Sequence, residues 1–195
     1  MSLEQQLVAH FLKRELIQEE EKEIIEYGLE SLKNFVTGAV AVIIVGYLYG
    51  YLWECVLIWI FVMPLRKNAG GFHASTKLKC IITSIITLSI ILTVYFQLGL
   101  PDVMYLALDV VWGGIIYSFS PVENQNKSLD HAEYETYRHR TRMILLIESC
   151  LLAAGMVLHM ENLVRILSSS LAIVGVAVLA GVVIAKKLSC EKQED

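Results

Sequence analysis

The stretch FVTGAVAVIIVGYLYGYLWECVLIWIFVM, residues 35–63, runs for 29 residues with Glu54 as its one charge. A helix crosses a bilayer in about 20 residues, so this run is too long for one ordinary span and too short for two full spans with a loop. Tilt of a single helix could absorb some of the excess. Gly46 and Gly50, within VGYLYGYLW, instead suggest a break into two short or re-entrant helices that return the chain to its starting side.

Four further apolar runs follow: Ile81 to Leu98, Val103 to Phe119, Met143 to Leu158 and roughly Ile166 to Ala185. With 55% hydrophobic residues and a mean hydropathy of +0.55 over 195 residues, the chain lies outside the soluble range. The expected fold is all-α: a polytopic transmembrane helix bundle of about six short passes, four of them after residue 80, forming one integral membrane domain over 1–195. No continuous apolar h-region precedes the first run, so the apolar segments themselves are expected to direct insertion.

Orientation is read from the cations, which tend to stay in cytoplasmic loops. Arg66, Lys67, Lys77 and Lys79 follow the first run. Lys127, Arg138, Arg140 and Arg142 follow the third, and Lys186, Lys187 and Lys192 follow the last. These three regions, including the basic loop 120–142, are expected inside, as are both termini. Residues 1–34 carry four cations beside eight Glu and place Leu3, Leu7 and Phe11, then Ile25, Leu29 and Leu32, at helical spacing. They read as an amphipathic helix lying on the membrane or docked on the protein's own loops. The net charge of −4 and the separation of acids from cations give no sign of nucleic-acid binding.

Chemistry concentrates in RKNAGGFHASTKLKC, residues 66–80. Ser75 or Thr76 is a plausible helix N-cap after the Gly70–Gly71 pair, which puts Cys80 in the first turn or two of the next helix. A helix N-terminus, Lys77, Lys79 and His73 all favour a thiolate. Histidine, with an ordinary pKa of about 6.5, suits proton removal from a thiol. On one continuous helix, residues seven apart are separated by about 10.5 Å along the axis, so His73 reaches Cys80 only if the chain bends, and the two glycines allow that bend and a close approach by an extended peptide. The competing reading is a basic membrane-edge loop with an incidental Cys and His. One Cys and one His are too few for a metal site, and no cofactor is expected. Cys55 and Cys150 lie in apolar runs, where cysteine behaves as a small hydrophobe.

The segment GGFHASTKLKC resembles the signature of the accessory gene regulator B (AgrB-like) family of membrane cysteine endopeptidases. The loop SPVENQNKSLDHAEYETYRHR, at 120–140, is similar to that family's second loop at the same distance, and the N-terminus and the order of apolar runs also fit. The resemblance implies that His73 and Cys80 are the catalytic pair and that Gly70 and Gly71 are the supporting glycines. It also implies that the substrate is a small AgrD-like precursor signal peptide, whose acidic C-terminal tail is removed and whose new carboxyl end is joined to an internal side chain as a thiolactone or lactone.

Arg66, Lys67 and Lys127 are candidates for binding an acidic substrate tail, although positive-inside topology alone would place cations there. Glu148, a short way into its run, could orient His73, pair with a loop Arg or snorkel. Asp109 is expected to make a structural hydrogen bond, and Glu54 to mark the break in the first run. Ala177, Gly181 and Ala185, spaced by four, suggest close helix packing within the chain or in a homodimer. The rival classes are a membrane transporter or peptide-export channel, and a sensor that binds peptide without cutting it.

Overall fold

The computed structural model describes residues 8, 10–12, 14, 18–72, 76–122 and 130–194. The chain divides into two compact units, Met1–Ala41 and Val42–Asp195. Six long helices follow one 3-10 turn at Glu19–Glu21: α1 (Lys22–Tyr49), α2 (Leu52–Ala69), α3 (Lys77–Leu92), α4 (Asp102–Phe119), α5 (His131–Val157) and α6 (Glu161–Glu194). Among the described residues there is no strand, only an isolated bridge between Gly70 and Val122.

The break in the first apolar run falls where the glycines suggest. Gly50 has φ +76°, a left-handed conformation that costs other residues about 1–2 kcal/mol, and Tyr51 N–H donates back to Gly46 C=O at 2.9 Å. Gly46 serves a different purpose. A Cβ there would meet Cys55 Cβ and Leu52 Cα at 3.0 Å, so its bare backbone lets α1 and α2 approach beside the turn. Glu54 sits in the first turn of α2.

Two expectations are corrected. Residues 131–142 are not loop: they are the first turns of α5, capped by Asp130, whose side chain accepts from His131 N–H at 2.7 Å, and supported by the Glu135–Arg138 pair at 3.5 Å. The charged HAEYETYRHR stretch is composed largely of helix-compatible residues, so helix extends beyond the apolar run. Likewise Ile25, Leu29 and Leu32 belong to α1, which continues straight into the apolar run. Leu3 and Leu7 lie outside the described residues.

Within the second unit α6 is the central element, packing against α2, α3, α4 and α5. Leu167, Leu171, Val174 and Val178 are fully or almost fully buried, and Trp112 of α4 sits over Gly175, where a Cβ would come within 2.6 Å of the indole. α3 ends in a widened π turn, Thr93–Gln97, and Tyr105 O–H donates to Tyr95 C=O at 2.7 Å.

The exterior is far more apolar than that of a water-soluble bundle, and the largely apolar core also holds several polar groups. Ile82, Ile86, Ile90, Val103, Val110, Val111 and Ile147 are exposed, whereas Asp109, Glu148, Thr141 and Ser168–Ser170 are buried. A broadly apolar exterior, with the few intramembrane polar groups turned inward, is what a lipid solvent selects. Four helical segments, Lys22–Tyr49, Leu78–Gln97, Asp102–Phe119 and Glu161–Lys187, are long and apolar enough to cross a membrane. The chain is a polytopic membrane protein. The other two long helices, α2 and α5, carry charge at the end where their apolar runs stop.

Candidate active site

Cys80 is the fourth residue of α3. Thr76 caps that helix, accepting from Lys79 N–H at 3.3 Å through its Oγ1, and Cys80 N–H donates to Thr76 C=O at 3.1 Å. The thiol therefore lies in the first turn, where the unpaired N–H groups create positive potential. It is a free, half-buried cysteine, in contrast to buried Cys55 and exposed Cys150.

The glycine pair upstream is held in place by the protein's own backbone. Gly70 ends α2 with φ +70°, and Gly71 follows with φ +111°. Val122 N–H donates to Ala69 C=O at 2.9 Å, and Phe72 N–H donates to Ala177 C=O at 2.8 Å in the middle of α6. A Cβ on Gly70 would collide with Val122 C=O; one on Gly71 would stand 2.6 Å from Ala177 O. From the other side, a Cβ on Gly181 would come within 2.8 Å of Phe72 N and 2.9 Å of Gly71 Cα. The close approach permitted by glycine is thus taken up inside the molecule: small residues of α6 receive the turn, and the stripe Ala177–Gly181 is occupied within the chain.

Arg66 secures this arrangement. Its two terminal nitrogens donate to Gly70 C=O and Phe72 C=O, a planar fork matched to a curved backbone. Burial pushes the guanidinium below the usual arginine value, and the neighbouring Cys80 charge acts in the opposite direction. Arg66 is therefore the clasp of the turn. Its last-turn position on α2 and its distance of four residues from Gly70 were available in the sequence; which carbonyls it would reach was not.

Of the other residues singled out, Lys67 is exposed. His73 and Lys127 lie outside the described residues, as does Ser75. Asp109 accepts from Ser168 Oγ at 2.8 Å, the structural hydrogen bond expected of it. Glu148 accepts from Ser170 Oγ at 3.4 Å. Ser170 and Ala177 lie on nearly the same face of α6, two turns or about 10 Å apart by helical rise, so the Glu148 carboxyl lies deeper in the bundle than the turn.

With that geometry in hand, comparison with known proteins gives the family. A family profile described as Accessory gene regulator B matches residues 5–185. The chain belongs to the accessory gene regulator B family. Among curated relatives it is similar to three proteins of Clostridium perfringens. It is 28% identical over 131 residues to "Putative AgrB-like protein 2" of strain 13 / Type A, a match covering 63% of this chain and 61% of that one. It is 31% identical over 113 residues to "Putative AgrB-like protein 1" of the same strain, covering 57% of each. With "Putative AgrB-like protein" of strain SM101 / Type A it shares 27% over 117 residues, covering 56% of this chain and 55% of the relative. The matches span little more than half the length of these relatives. No solved structure is a significant match.

Proposed function

We propose that the chain is a membrane cysteine endopeptidase that removes the C-terminal tail of a small quorum-sensing precursor peptide and passes the acyl group through Cys80 to a nucleophile within that peptide. Membership of the accessory gene regulator B family suggests quorum-sensing peptide processing. The observation that carries the finer reading is Cys80 itself, in the capped first turn of α3, which follows the glycine turn that Arg66 clasps.

The Cys80 thiolate attacks the scissile carbonyl, and the tetrahedral intermediate collapses to a thioester while the amine of the departing tail takes a proton. His73 supplies that proton. Phe72 is anchored to Ala177 and Thr76 caps α3, so only three residues, His73 among them, join two fixed points beside the nucleophile. Exchange of the thioester with an internal cysteine yields a thiolactone, and attack by a hydroxyl yields a lactone. Either requires a folded peptide and limited access of water.

In this proposal the site faces the cytoplasm, where the loop cations tend to remain. Lys127 meets the acidic tail: its loop leaves Val122, which is stitched to Ala69. Arg66 contributes by shaping the turn, and Lys67 adds positive charge on the adjoining surface.

Co-expression with a candidate precursor, followed by mass spectrometry of the peptide, tests the proposal. The intact protein should produce a truncated, cyclised product, and Cys80→Ala should produce none. The same processed peptide from Cys80→Ala would refute covalent catalysis by this residue.

A further inference from the structure

The cations at this edge of the bundle are not equivalent. Arg66 is engaged by the turn, Arg138 pairs with Glu135 at 3.5 Å, and Arg142 stacks over the Tyr117 ring at 4.2 Å. Among the described residues Lys67 and Arg140 form no ion pair, and they converge on one pocket between α2 and α5. That pocket, of about 260 Å³, is lined by Lys67, Asn68, His139, Arg140, Met143 and Ile144. Among the described residues its lining has three nitrogen-bearing basic side chains and no acid. Two cations placed together without a counter-charge repel each other, and an anion between them relieves that repulsion.

The surroundings indicate which anion. The pocket lies where both helices change from charged to apolar, at Arg66–Lys67 on α2 and Arg142–Met143 on α5. Below it, Met143, Ile147 and Leu151 stand at intervals of four on α5, 48%, 53% and 39% exposed. On α2 the stripe descending from Asn68 runs through Pro64 to Ile60, which is 53% exposed. A soluble phosphate or an acidic peptide needs the cations and has no use for this apolar track. An amphiphile uses both.

We propose that the α2–α5 pocket binds the phosphate headgroup of an anionic phospholipid. Lys67 and Arg140 neutralise the phosphodiester, His139 offers a ring N–H, and an acyl chain lies along Met143, Ile147 and Ile60. Basic pockets between transmembrane helices bind such headgroups, each cation being worth about fivefold in affinity.

The test is native mass spectrometry of the full-length protein in detergent, titrated with phosphatidylglycerol or phosphatidylcholine of the same acyl composition. The wild-type chain should retain one phosphatidylglycerol per protomer with roughly tenfold or greater preference, and K67Q and R140Q should each reduce it about fivefold. R138Q, which removes a paired charge outside the pocket, should leave the preference intact, as should the charge-preserving double variant Lys67→Arg with Arg140→Lys. Glycerol 3-phosphate, a headgroup without chains, should not compete at equal concentration. Equal retention of the two lipids, survival of the preference in a K67Q/R140Q protein, or equal loss in R138Q would overturn the proposal. Displacement by glycerol 3-phosphate would make the pocket a free-phosphate site, and displacement by an acidic peptide would make it a peptide site; either result also overturns it.

Discussion

Two glycine breaks flank α2, one at Gly50 before it and one at Gly70–Gly71 after it, and they are built differently. Both use positive φ, +76° at Gly50 and +70° and +111° at the pair. At Gly50 a Cβ would meet nothing within 4 Å, whereas at Gly70 and Gly71 it would run into the carbonyls of Val122 and Ala177. The first break needs only a backbone conformation. The second also needs the space, because two distant parts of the chain close on it, with Arg66 completing the enclosure from within. A turn defined from three sides can fix the approach to a nucleophile; a turn open to its surroundings can only reverse the chain.

The sharpest way to break this contrast is to add one methyl at each site. Gly71→Ala combines an unfavourable φ with a carbonyl contact at 2.6 Å, so the turn must move. Displacement of about 1 Å near a reacting centre costs on the order of a hundredfold, and peptide processing per folded molecule should fall by that much. Gly50→Ala should lose about 1–2 kcal/mol of stability and leave processing per folded molecule within roughly threefold, below the tenfold that 1.4 kcal/mol represents. Equal effects of the two substitutions on activity would erase the distinction.

The receiving side of the turn is tested next. Gly181→Leu pushes a side chain at Gly71 and Phe72 from α6, and processing should drop by roughly ten- to a hundredfold. Gly114→Leu provides the control, because nothing lies within 4 Å of its Cβ position. Smaller again is Arg66→Lys, which keeps the charge and loses the fork across Gly70 and Phe72. Removing a charged hydrogen bond is worth about 1.5–3 kcal/mol, and because lysine keeps the charge and one of the two bonds only the lower end applies, so a loss near tenfold in processing is expected, with no matching loss in Arg138→Lys. The least severe change is Thr76→Ala. Loss of this cap should lower stability by about 1 kcal/mol, measured by thermal unfolding in detergent, and Thr76→Ser should restore most of it.

Much of this was legible in the sequence because it is local. The six helices follow from the lengths of apolar runs and the glycine break, and the position of Cys80 follows from a threonine four residues before it. Asp109, isolated in an apolar run, advertised its need for a partner. What escaped was tertiary. Nothing in the spacing of Ala177 and Gly181 says whether a second protomer, a neighbouring helix or a loop will occupy that groove; only the fold brings Gly71 there. Arg66, one cation among four in its segment, looked like a topology signal or a peptide contact, and its bond to the turn depends on a curvature that φ values create. The start of α5 escapes the hydropathy pattern for a different reason: charge does not by itself mark loop, because helix-compatible residues and one N-cap suffice to extend a helix into water.

The central claim is that Cys80 carries the acyl group, and the most direct measurement is the intact mass of this protein after co-expression with a precursor whose internal nucleophile is changed to alanine. Attack still occurs, yet no acceptor remains for ring closure. A precursor-derived adduct should accumulate on Cys80, be released by hydroxylamine as expected of a thioester, and be absent from Cys80→Ala. Tail removal from that precursor by the intact protein with no such adduct at any time, or an adduct of the same mass on Cys80→Ala, would contradict the account.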